Sequence, residues 1–102
     1  MIHVIATITT KSGKRDAFLA EFHRIVPLVH KETGCIEYGP AIDVASGLGM
    51  QAPLRENVAV IIEKWENLDA LKAHTQAPHM AEYRVRVKDL VESVVLQVLA
   101  PA

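Results

Sequence analysis

Five consecutive apolar residues, Val58 to Ile62, at the head of the stretch VAVIIEKWENLDALKAHTQAPHM, constrain this chain more than any other feature. A strand with one wet face alternates polar with apolar side chains. An unbroken run of this kind needs cover on both faces. The run ends at Glu63, Lys64 and Trp65, after which Asn67 is a good helix N-cap. Leu68, Leu71 and Thr75, with Ala70 and His74, then follow at helical spacing to about Thr75, which turns Trp65 and His74 toward one cleft.

The segments around this anchor have their own periods. Ile2 to Thr10 alternates, with Ile2, Val4, Ala6 and Ile8 on one side and His3, Ile5, Thr7 and Thr9 on the other, which predicts a first strand. Beyond the turn at Ser12 and Gly13, an apolar stripe of Phe18, Phe22, Ile25 and Val29, backed by Leu19 and Val26, predicts a helix running toward Gly34. Pro27 lies inside it, so a bend or an early end is expected there. Gly34 suits the left-handed position that ends many helices.

Cys35 to Val44 reads as a second strand with Ile36, Tyr38 and Ile42 on one side. Gly39 and Pro40 mark it as an edge or a bulge. Asp43 to Asn57 holds too many breakers for a regular element and reads as a long functional loop, its Ala45 to Pro53 part a candidate lid. Val58 to Trp65 is the third strand. Pro78 opens a further helix whose stripe is Met80, Tyr83, Val87 and Leu90. Glu92 to Ala100 alternates Val94, Leu96 and Val98 against Val95, Gln97 and Leu99 as a fourth strand.

The strand, helix, strand order thus occurs twice in one domain spanning residues 1–102, without a strong internal sequence repeat. This predicts an α+β fold: a ferredoxin-like four-stranded antiparallel sheet with helices on one face. The third and fourth strands carry apolar residues on both sides, and helices cover only one. The uncovered face would be too large an apolar patch for a monomer, so a homodimer packed sheet against sheet is expected.

Composition excludes several classes. Half of the residues are hydrophobic and 23% charged, as in compact globular proteins. The formal net charge is −1, with the basic residues dispersed, so no nucleic-acid partner is expected. Cys35 is the single cysteine, which excludes an internal disulfide and suits a reducing compartment. MIHVIATITT has no basic leader, and no apolar run approaches the roughly 18 residues of a spanning helix. A cytoplasmic protein with no membrane association is the expectation.

Gly34-Cys35-x-x-Tyr38, then Glu63-x-Trp65-Glu66, then His74 followed by Pro78-His79-Met80, resemble in order and spacing the antibiotic biosynthesis monooxygenase superfamily. The resemblance covers nearly the whole chain. Within that superfamily the chain is most similar to the bacterial quinol monooxygenases, including Ile25-Val26-Pro27 and the Ala45 to Gln51 loop. The resemblance implies a dimeric α+β barrel, no metal, no flavin, and oxygenation of an electron-rich aromatic such as a hydroquinone, with a separate quinone reductase as a conceivable partner. The haem-degrading branch instead carries an Asn in the first strand, a Trp on the helix after the third, and a later His ligand. Here there is no such Asn, His74 stands at the Trp position, and Tyr83-Arg84 occupies the ligand region, which disfavours haem degradation. Isomerases share the fold as well, so fold does not fix the reaction.

Oxygenation without a cofactor requires the substrate to give an electron to triplet dioxygen, and a phenolate does so far more readily than a phenol. A histidine base near neutrality makes that anion. His74 is the leading candidate, against a helix histidine satisfied by a backbone carbonyl or a carboxylate. His79, in the first turn of the next helix, is a second donor or the base instead, against a structural role. Trp65 is a stacking platform and oxyanion donor or a core residue.

Tyr38, Tyr83, Met50 and Glu63 are candidate substrate contacts, and Glu63 or Glu66 could orient a histidine. Packing explains the tyrosines equally well, and surface placement the carboxylates. Arg84, Arg86 and Lys88 read as a solvated face, with Glu82 pairing Arg86 at i,i+4. Cys35 reads as an inert thiol. A noncatalytic dimer that sequesters quinones or another apolar metabolite, and an isomerase of a small carbonyl compound, are the competing functions.

Overall fold

The structure is a computed structural model that describes all 102 residues. It contains β1 (Ile2–Thr10), α1 (Arg15–His30), β2 (Cys35–Ala41), β3 (Val58–Trp65), α2 (Leu68–Thr75), α3 (Pro78–Val87) and β4 (Val91–Leu99). The strands form one sheet in the order β2-β3-β1-β4, antiparallel at every junction. This is the ferredoxin-like α+β arrangement that the element order predicts.

Register decides which side chains meet the helices. Val4 lies opposite Glu63, Ala6 opposite Ile61 and Ile8 opposite Ala59, so these pairs share one face. That face packs on Phe18, Phe22, Ile25 and Val29 of α1 and on Met80, Tyr83 and Val87 of α3. The stripe read from the α1 sequence is the buried stripe of the helix. α1 continues through Pro27 to His30, so the early end expected at the proline does not occur.

Gly34 has φ +83°, the left-handed region expected of it, in a turn just beyond the helix cap at Lys31. It has a second reason to be glycine: a Cβ there would sit 2.6 Å from the Ala70 Cβ of α2. β2 is an edge strand, as Pro40 suggested, but it ends at Ala41 and its register shift falls between Cys35 and Glu37. The bulge leaves Ile36 unpaired and 49% exposed, while Tyr38 is buried; Ile42 lies outside the strand.

The 43–57 segment is irregular and tied to itself. Arg55 donates to Asp43 through its backbone N–H, Nε and Nη2 at 2.9, 2.9 and 2.8 Å, and Gln51 Nε2 donates to the Val44 carbonyl. The pairing read from α3 alone is corrected by its neighbour. Arg86 donates not to Glu82 but to Glu21 of α1, at 2.9 Å, because α1 and α3 pack side by side.

The opposite sheet face, with Ile5, Val60, Ile62, Val95 and Leu99, has no helix over it. β4 lies beyond the helices as well, so Val94 and Leu96 on the helix side are 56% and 55% exposed and Val95 on the other side is 56% exposed. No helix is long and apolar enough to cross a membrane.

Candidate active site

Between the sheet and the helices lies a cavity of about 520 Å³. β1 supplies its floor through Val4, Ala6 and Ile8; Tyr38, Ile61, Met80 and Tyr83 are among its walls. Its polar lining is short: Glu63, His74, Thr75, Arg84 and Lys88. Val94 and Leu96 of β4 line it while half-exposed, so in the single protomer it opens at the β4 edge.

His74 reaches this cavity because Asn67 caps α2, its side chain accepting from the Ala70 N–H at 2.8 Å, and two turns of helix carry the imidazole back over β3. The residue is only 4% exposed. Its Nδ1 lies 2.9 and 3.1 Å from the two carboxylate oxygens of Glu32. His79 Nε2 lies 2.7 Å from the same Glu32 Oε2. An ionised carboxylate only accepts, so both histidine nitrogens donate to it. Every buried side-chain nitrogen or oxygen has a partner, so His74 Nε2, which has none, retains accessible surface. It is the nitrogen left for a ligand. Neither Glu32 nor His79 lines the cavity.

Trp65 is fully buried, and its indole Nε1 donates to Glu63 Oε1 at 2.9 Å. Its ring lies against the His74 imidazole with centroids 4.7 Å apart, but it does not line the cavity. The two rings expected to share a cleft therefore lie one behind the other, tilted by 38°. Tyr38 meets His74 edge-on at 5.2 Å.

Burial raises the Glu63 carboxyl above the usual range, against the lowering effects of the Trp65 bond and of His74. Burial also pushes the Tyr38 and Tyr83 phenols up, so both ring hydroxyls stay protonated donors at neutral pH. The Cys35 thiol is raised by burial and then by the Glu32 and Glu63 carboxylates, which disfavours the thiolate.

The structure thus brings His74, Glu63, Tyr38 and Tyr83 to one cavity and places Trp65 and His79 behind His74. Met50 is elsewhere: it is 99% exposed, and no residue of the 43–57 loop lines the cavity, so the expected lid does not cover it in the protomer. Glu66 is exposed and forms no bond to a histidine. Arg84 and Lys88 are exposed, as expected, yet border the cavity mouth, where Arg84 Nη2 donates to the Thr75 carbonyl at 2.9 Å. Sequence reasoning missed Glu32. Its partners are 42 and 47 positions away, and the only local hint is that it lies two residues before the Gly34-Cys35 motif.

No group of three or more His, Cys, Asp or Glu side chains is arranged to hold a metal ion. An apolar chamber with one oriented imidazole and one buried carboxyl on a ferredoxin-like sheet defines a small-molecule site suited to proton transfer at an apolar ligand. The profile of the antibiotic biosynthesis monooxygenase family matches residues 1–86, and the chain belongs to that family of monooxygenases. It is 42% identical over 103 residues to the probable quinol monooxygenase YgiN of Escherichia coli (strain K12), covering 99% of this chain and 98% of that protein. Among solved structures, PA3566 from Pseudomonas aeruginosa superposes with a TM-score of 0.82 at 24% identity, over 99% of this chain and 93% of that one. Rv0793 from Mycobacterium tuberculosis gives 0.79 at 25% identity, over 99% and 94%.

Proposed function

We propose that this protein is a quinol monooxygenase that uses dioxygen without metal or flavin. The observation that carries the reading is the His74 imidazole, lining an apolar cavity of about 520 Å³ with Nδ1 held by Glu32 and Nε2 free. The similarity to YgiN supplies the substrate class.

In this reading a hydroquinone enters the cavity and its hydroxyl gives a proton to His74 Nε2. The resulting anion transfers one electron to dioxygen, giving a substrate radical and superoxide. These combine at a ring carbon to form a peroxide. Cleavage of the O–O bond leaves one oxygen atom on the product as a hydroxyquinone and releases the other as water. If the peroxide does not form, a second electron and two protons pass to dioxygen, yielding quinone and hydrogen peroxide. Either route balances with the hydroquinone as the only reductant; a separate quinone reductase would regenerate the hydroquinone from the quinone of the second route and give a hydroxylated hydroquinone from the product of the first. The apolar walls keep the radical pair together by excluding water.

Completion of the chamber falls to a second copy. Ile62, Val95 and Leu99 lie exposed on the uncovered sheet face, and only 18 of 102 residues are buried in the lone protomer, so half of the sheet lacks cover. A two-fold dimer, sheet against sheet, would supply it.

Oxygen uptake with a menadiol-like hydroquinone, on protein stripped of metal and flavin, tests the activity. His74→Ala should lower kcat by about 100-fold or more, and the exposed Lys11→Ala should not change it. Ligand binding with no oxygen uptake would make the protein a noncatalytic module; turnover without dioxygen would make it an isomerase.

A further inference from the structure

The Glu32 carboxylate lies outside the cavity but touches both histidines near it, and it is neither donor nor acceptor in the proton transfer from substrate to His74 Nε2. We infer that Glu32 is the positioning residue of the site, its carboxylate fixing the His74 tautomer and tying His79 to the same anion. The inference rests on the reading of His74 as the base.

The geometry makes the case. Glu32 sits in the turn after α1, with its side chain 14% exposed, and reaches across to α2 and α3. One oxygen, Oε2, accepts from His74 Nδ1 at 2.9 Å and from His79 Nε2 at 2.7 Å. A neutral imidazole carries one proton. With that proton on Nδ1, the Nε2 lone pair is the one offered to a substrate. Without an acceptor at Nδ1 the ring would divide between tautomers, and part of the population would present N–H where a base is required. Once Nε2 has taken a proton, the same carboxylate stabilises the imidazolium.

His79, with a side chain 21% exposed, does not line the cavity. It occupies the remaining capacity of Oε2 and holds Glu32 from the α3 side. The other ionisable groups near the cluster are Glu63 of β3, Cys35 and Tyr38 of β2, and Tyr83 of α3. Of these Glu63 is the one whose carboxyl the His74 imidazole acts on.

Two readouts on Glu32→Gln and Glu32→Asp test this. Long-range proton–nitrogen NMR of the imidazoles, with His74 assigned from His74→Ala, reports the tautomer without any turnover. Wild type should show His74 protonated at Nδ1; Glu32→Gln should show a mixture or the Nε2–H form, and Glu32→Asp should recover part of the wild-type signal. In oxygen uptake, Glu32→Gln should lower kcat about 10- to 100-fold with KM nearly unchanged.

A wild-type tautomer and wild-type kcat in folded Glu32→Gln would overturn the inference while leaving His74 as base. If His74→Ala keeps full activity, the base reading falls, and the NMR still decides whether Glu32 sets the tautomer. If Glu32→Gln does not fold, Glu32→Asp and the wild-type tautomer carry the test, and an Nε2–H ring in wild type overturns it.

Discussion

The Trp65 indole N–H donates to the Glu63 carboxylate at 2.9 Å, two residues back along the same strand and with both side chains buried. Alternation on β3 puts residues 61, 63 and 65 on the helix face, so a carboxyl faces a core that is otherwise apolar. The indole is the only donor that the core supplies to it. Trp65→Phe removes that donor and leaves a void beside His74. A loss of about 2–4 kcal/mol is expected, read as a lower urea midpoint in equilibrium unfolding. An unchanged midpoint would mean that neither the bond nor the packing matters.

Glu63 also makes stability depend on pH in a definite direction. Burial, the largest cause, raises its folded-state pKa above the ordinary 4.5. The folded chain therefore binds this proton more tightly than the unfolded chain, and the Glu63 contribution to stability falls as pH rises from 4.5 through the folded value. Below 4.5 the carboxyl is neutral in both states and the cost vanishes. Glu63→Gln, neutral throughout, should melt above wild type at pH 7 and together with it near pH 4. A gap that stays constant across this range would contradict the assignment.

Gly34 meets Ala70 with no room for a methyl group, and its φ of +83° disfavours any other residue. Gly34→Ala should cost about 2–4 kcal/mol, roughly 1–2 from the left-handed backbone and the rest from the clash. Ala70→Gly, made in that background, should cost at least about 1 kcal/mol less than it does in wild type. Strict additivity in the double-mutant cycle would show that the two β-carbons do not compete.

Ala6 is a small residue on the cavity floor, 5% exposed. Ala6→Leu projects three more carbons into the space and should raise KM for a bicyclic hydroquinone about tenfold, on the order of 1.4 kcal/mol. Titration of the product quinone by tryptophan fluorescence provides the matching Kd. An unaltered KM with the protein folded would place the substrate elsewhere.

Ile62 lies opposite Ile5 on the uncovered sheet face and is 36% exposed. If a second copy covers that face, Ile62→Lys buries a charge against apolar side chains and should shift the sedimentation coefficient from dimer to single chain at micromolar concentration. A wild-type protein that sediments as one chain would refute the dimer outright.

Periodicity alone determined much of this protein. The apolar run at β3, the alternation of β1 and the stripe of α1 each state which face is buried, because local spacing and burial are coupled through helix and strand geometry. Asn67, Gly34 and Pro78 likewise announced their roles locally, as cap, left-handed turn and first helical position. His74 was legible as a candidate base because a helix of known phase follows a strand of known phase. What only the tertiary structure decided are the partners that come from afar. Glu32 joins His74 and His79 across 42 and 47 positions, Arg86 leaves its helical neighbour for Glu21, and Trp65 lies behind the imidazole rather than beside it in the cavity. A short carboxylate carries no periodic signal of its own, and its role is set by which donors the packed layers bring within 3 Å.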